Sequence, residues 1–352
     1  MTNTSFSNAN KINTQRITAL WAFSEATFGG ILHALKIPFT GLFLGSAAVL
    51  FITLISWADK NKTSILHATL LVILVKAAIN PYSPLTVYFA ISVQGIAGYI
   101  FYRFIPYERL AALMLGFFSL LFSALQKVIF LTVLFGANLW KSLNSFADSI
   151  FSQLGITIPS NSIDFSLLIV CTYTGLHICM GIFIGIKSIK IRNWILKNNL
   201  PNADEIINDN NNEEYFPKKK HRGKKFWWMR MSGIFVLSFL LSIMIYSYLY
   251  PNLSKIPAYE ILFMLVRSIV ITLVWFFLIS PVVLKSVRKL LMKKQNKNLE
   301  EINHITSLFP FFRRIISYCW KNSSQMHGIK RFKKIITESF LYIITIKIEQ
   351  DK

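Results

Sequence analysis

"WAFSEATFGGILHALKIPFTGLFLGSAAVLFITLISW", residues 21–57, decides the fold class. Two apolar stretches are separated only by Lys36-Ile37-Pro38, and neither alternates in the manner of a half-buried strand. Each approaches the roughly 20 residues that an α-helix needs to cross the hydrocarbon of a bilayer. The short joint makes them an antiparallel helical hairpin. Two details are unusual for lipid-facing helices. The first stretch carries Glu25 and His33, and it places the small residues Ala22, Ala26 and Gly30 four apart.

The pattern recurs. Spanning helices are predicted over roughly 17–35, 38–57, 64–80, 84–103, 109–136, 164–187, 229–250 and 257–284. The third and fourth meet at "NPYSP", residues 80–84, whose prolines cannot continue a helix. Composition agrees: 53% of the 352 residues are hydrophobic, only 15% are charged, and mean hydropathy is +0.47. A soluble domain is about a quarter charged. The expectation is an all-α, polytopic membrane protein. The polar N-terminus has no cleavable-signal pattern.

A net charge of +22 raises the question of nucleic acid. Placement of the charges answers it. With the N-terminus inside, all 38 Lys and Arg fall in inner connections and tail except Lys36, Lys141 and Lys255 outside and Lys76, Lys127 and Arg267 within spans. That is the positive-inside pattern, and it implies attraction to anionic lipid rather than to nucleic acid. A bacterial cytoplasmic (inner) membrane with both termini cytoplasmic is expected. Four regions follow: a six-helix unit (1–187), a polar and basic linker (188–228), a transmembrane hairpin (229–284) and a basic cytoplasmic tail with amphipathic helices (285–352). In the tail, Ile329, Phe332, Ile335, Ile336 and Phe340 share one helical face, which predicts a helix resting on the inner leaflet or on a partner.

Ionisable groups within spans are costly and mark interior or cavity positions. Glu25 and Gln94 fall near mid-membrane, Lys76 and Asn80 near the outer end of their helix, and Lys127 in an outer half. His177 is central and reads first as a helix-packing histidine. Tyr82 and Tyr88 stand at the rim formed by "NPYSP". Lys76 has two readings, an ion pair with Glu25 or snorkelling to headgroups. Two lysines against one buried Glu leave a surplus positive charge that an anionic ligand would neutralise. Glu25, Lys76, Asn80, Tyr82, Gln94, Lys127 and His177 are therefore the candidate substrate-binding residues.

The Ala22/Ala26/Gly30 edge suits close helix approach, either within the bundle or against another membrane subunit. Cys171, Cys179 and Cys319 form no CxxC pair, so no disulfide framework or metal site is indicated, and no cofactor is. HExxH, GxSxG and Walker A motifs are absent, and no paired carboxylates fall within spans, which argues against an enzyme.

Residues 1–187 resemble the substrate-binding S components of energy-coupling factor vitamin transporters. The resemblance rests on Ala22-Phe-Ser-Glu-Ala26, "LHALKIPFTGLFLG", "NPYSPLTVYFAISVQGIAGYIF" and the long fifth helix opening "LAALMLGFF". It implies a compact six-helix binder that captures a micronutrient, docks through its Ala-xxx-Ala stripe on a T component, and is driven by partner ATPases. The chain departs from that pattern by continuing past 187. Its last amphipathic stretches are loosely similar to T-component coupling helices, but the Ala-Arg-Gly type motif is replaced by "HGIKRFKK", residues 327–334. The competing expectations are a membrane-embedded enzyme, an assembly or scaffold protein, and an independent secondary transporter.

Overall fold

The computed structural model describes residues 13–34, 39–80, 83–154, 164–197 and 258–345. The expected span 229–250, most of the 188–228 linker and Tyr82 lie outside them. Every regular element among the described residues is a helix. In order these are α1 (Thr14–Phe23), a π-helical turn (Ser24–Phe28), α2 (Gly29–Ala34), α3 (Thr40–Ala58), α4 (Thr63–Ile79), α5 (Leu85–Phe104), α6 (Glu108–Phe135), α7 (Asn138–Gln153) and α8 (Phe165–Lys197). After the undescribed stretch come α9 (Ala258–Val274), a second π-helical turn (Trp275–Ile279), α10 (Ser280–Lys297), α11 (Leu299–Asn322) and α12 (Gly328–Thr345). Among the described residues, α3, α5, α6 and α8 are long and apolar enough to cross a membrane. The apolar α4, with 17 residues, is shorter.

Local chemistry sets several helix starts. The Asn13 side chain accepts the Gln15 amide at 2.8 Å and caps α1. Asn61 Oδ1 takes both the amide (3.1 Å) and the hydroxyl (2.8 Å) of Thr63 at the head of α4. Asp164 Oδ1 accepts from Leu167 N (3.0 Å), the Ser166 hydroxyl (2.7 Å) and Asn144 Nδ2 (2.9 Å), so α8 begins on a carboxylate that meets the orphan amides of its first turn. These donors hold the Asp164 carboxyl below its ordinary range, led by the Leu167 amide.

Three features add to the expected organisation. Between the expected spans 109–136 and 164–187 lies a further helix, α7, because Leu139, Leu143, Phe146 and Ile150 recur at helical spacing among Ser and Asn. The span expected to end at 187 continues to Lys197, and the one expected to end at 284 runs on into the basic α10. Finally, the tail helices pack against the N-terminal helices.

Contacts divide the chain into two units, with the boundaries inside α6 and α8. The first comprises the described residues of 1–124, 176–213 and 286–352. Its core joins Trp21, Ile52, Leu74 and Leu115 from the N-terminal helices to Phe312, Ile315 and Ile344 from the tail. α11 runs beside α1 in the same direction. Glu301 and His304 line a cavity with Thr14 and Thr18, and further along both helices the Phe23 ring packs edge-on against Phe309 (5.1 Å) and Phe312 (5.8 Å). α12 returns against α11, with Phe340 beside Phe51 of α3 at 6.4 Å. Two polar ties join the tail to α4: Gln295 Nε2 donates to Leu74 O (3.1 Å), and Glu301 meets His67 at 3.2 Å.

Helices α6 and α8 cross almost backbone to backbone. A Cβ placed on Gly116 would lie 2.1 Å from the carbonyl oxygen of Gly181, and one on Gly185 would lie 2.7 Å from that of Ala112. Only glycine fits such a crossing.

The second unit comprises the described residues of 125–175 and 214–285. In it Trp140 Nε1 donates to the Thr132 hydroxyl (3.1 Å), and the Arg267 guanidinium lies over Gly136, whose φ of 77° closes α6.

Candidate functional site

The site is built on the break in the first helix. Ser24 and Thr27 turn their hydroxyls back onto the carbonyls of Trp21 (2.9 Å) and Phe23 (2.6 Å), a bond that loosens a helix locally. In an α-helix the Gly29 amide would bond Glu25 O. Here it reaches one residue further back to Ser24 O, and the turn widens into a π-bulge. Glu25 O is taken instead by Lys76 of α4, whose Nζ donates to it at 2.7 Å and to the carboxylate Oε2 also at 2.7 Å.

Both side chains are only 3% exposed. A single ammonium thus serves the displaced carbonyl and a buried carboxylate, and the pair is neutral. The third hydrogen of Lys76 has no acceptor among the described residues. The amine has room because position 29 is glycine: a Cβ there would come 3.4 Å from Nζ and 3.3 Å from Leu44.

Asn80 closes α4 through its amide to Lys76 O (2.8 Å), and its side-chain amide faces Gly30, 3.9 Å from where a Cβ would stand. Its carbonyl is approached by the Tyr88 hydroxyl at 3.4 Å. Gln94 of α5 is buried against α3, with Nε2 3.5 Å from the Cβ position of Gly45. Leu44 and Gly45 are consecutive, so one turn of α3 borders both polar groups.

Of the expected residues, the structure therefore assembles Glu25, Lys76 and Asn80 along the π-bulge, with Gln94 across α3. It places His177, fully buried, beside the Phe39 ring at 6.1 Å, at the start of α3. Phe39 itself has a φ of 65°, in the left-handed region that bulky side chains avoid. Lys127 is exposed and belongs to the second unit. Within the first unit, Glu25 is the carboxylate that Lys76 meets.

Ala22 and Ala26 are buried within this chain, and Gly30 is half-buried. The helix that carries them packs on α3, α4, α11 and α12. Three further features were legible but unweighed in the sequence. They are the Ser-Glu-Ala-Thr grouping that opens the π-bulge, Gly29 as the space for the Lys76 amine, and the Gly181-xxx-Gly185 pair.

The described residues include no group of three or more His, Cys, Asp or Glu placed to hold a metal. Comparison of the chain with family models, with curated proteins and with solved structures finds no match.

Proposed function

We propose that the chain is the membrane-embedded solute-capture component of a micronutrient importer, working with a T component and ATPase subunits. One observation carries this reading: a neutral, buried Glu25–Lys76 pair, with one ammonium hydrogen that has no acceptor among the described residues, flanked by Asn80 and by the bare backbone of Gly29 and Gly30. That set offers hydrogen-bond donors to an acceptor-rich small molecule, such as a carboxylate or an amide, and small residues let it approach the backbone closely. The resemblance of residues 1–187 to S components of the energy-coupling factor type supports the same assignment. On this reading α11 and α12, packed along the first helix, stand where the coupling helices of a T component would dock.

Native mass spectrometry of the full chain, purified gently from membranes, tests the reading. A retained small molecule that is lost in Asn80→Ala, together with co-purifying ATPase subunits, is the expected result. Neither ligand nor ATPase in repeated preparations removes the proposal.

A second reading, a membrane assembly or scaffold protein, is favoured by the tail covering the first helix from within the chain. It predicts stable retention of other membrane proteins and no small ligand.

A further inference from the structure

We propose that the first turns of α12, together with the end of α11, form a binding face for an anionic lipid surface. The two halves of α12 differ. Its C-terminal half is inserted in the first unit, with Ser339, Leu341, Ile343 and Ile344 buried. Its N-terminal half instead turns Ile329, Phe332 and Ile336 outward, 87%, 60% and 53% exposed. Spaced at i, i+3 and i+7, they form one stripe along the helix. It is the N-terminal continuation of the face that packs on the bundle through Ser339, Phe340 and Ile343, left uncovered over these first turns.

The surroundings of that stripe select its occupant. Lys330 and Lys333 flank it, both exposed. Across the turn, the Arg331 guanidinium stacks 4.7 Å above the ring of Trp320 and donates to its carbonyl oxygen at 3.3 Å. Trp320 is itself 55% exposed, and Lys321 follows it. Glu338, the acidic residue of α12, lies two residues beyond Ile336 and is paired with Lys334 at 3.7 Å.

Exposed aliphatic and aromatic side chains, an interfacial Trp and the cations Lys330, Arg331 and Lys333 match the boundary between headgroups and acyl chains. An apolar protein surface would satisfy the stripe but leave the cations desolvated, whereas water would satisfy the cations but not the stripe. A bilayer surface bearing anionic headgroups satisfies both. This inference stands independently of the importer reading, since it uses no residue of the Glu25–Lys76 site.

The test is hydrogen–deuterium exchange on the full chain in nanodiscs loaded with one copy each, made from phosphatidylcholine with or without phosphatidylglycerol. Amides of residues 330–337 are expected to exchange at least about threefold more slowly when the anionic lipid is present. The double variant Lys330→Glu/Lys333→Glu is expected to lose that difference while α3 and α4 keep their protection, which shows that the fold persists. Equal exchange in the two lipids overturns the proposal. So does full protection already present in detergent, which would assign the face to another protein segment. Protection that appears only when a disc holds two copies would assign it to a second chain, and likewise overturns it.

Discussion

At Glu25, one helical residue has been given two acceptors for the same partner. Lys76 takes its carboxylate and its main-chain carbonyl, the latter released because the π-bulge moves the Gly29 amide to Ser24 O. Removing one member of a buried pair leaves a charge with no counterpart, which costs about 3–5 kcal/mol. We predict that Lys76→Met loses stability on that scale, measured by denaturant titration in micelles. Glu25→Gln combined with Lys76→Met should recover most of it. A double variant as unstable as the sum of the two single ones would show that the pair is not coupled. Gly29→Val should cost about 1–3 kcal/mol by crowding Leu44 and the amine. The pair was one of two readings open to the sequence. What sequence spacing could not supply was the partner carbonyl, because that depends on one hydrogen bond slipping by one residue.

Among the elements, the crossing of α6 and α8 is the most demanding of residue size. Gly181→Leu would drive a side chain into the Gly116 carbonyl, so we predict a loss of about 1–3 kcal/mol or more in thermal unfolding. A Cβ on Gly175, six residues earlier, meets nothing within 4 Å, so Gly175→Leu should be close to neutral. Similar losses for both would argue against a specific crossing. At the head of α8 the sign of the pH dependence is fixed. The Asp164 carboxyl is held below its ordinary value by the Leu167 and Ser166 donors and by Asn144. A group shifted down in the fold contributes its stability above the unfolded value and loses it as pH falls through the folded one. Exchange protection at the start of α8 should therefore be constant from neutral pH to the ordinary carboxylate range and decline below it. The same decline in Asp164→Ala would remove this cap as its cause. The helix α7 was readable from its apolar spacing, but its Ser and Asn content resembles a loop, and only packing distinguishes the two.

For the whole molecule, the tail is the element whose role changed most. Its amphipathic character predicts a helix on a leaflet or a partner, and the buried face of α11 meets α1 of the same chain instead. Phe312→Ala should destabilise the first unit by about 3–5 kcal/mol, because a fully buried ring is lost from its centre. The same variant should expose Cys319, whose thiol burial pushes above its usual range. Maleimide labelling at Cys319 should then rise at least about tenfold, with Cys171 and Cys179, already exposed, unchanged. No change in labelling would mean that α11 stays docked without Phe312. The all-helical class, the presence of membrane-length apolar helices and the residues too costly to bury singly are legible along the chain, because hydropathy and charge are properties of segments. Packing between segments settled that Lys76 satisfies Glu25 and that α11 and α12 cover the Ala22 and Ala26 helix. Those outcomes depend on which of several equally apolar faces meet, and contacts between segments nearly three hundred residues apart leave no periodicity in the chain that makes them.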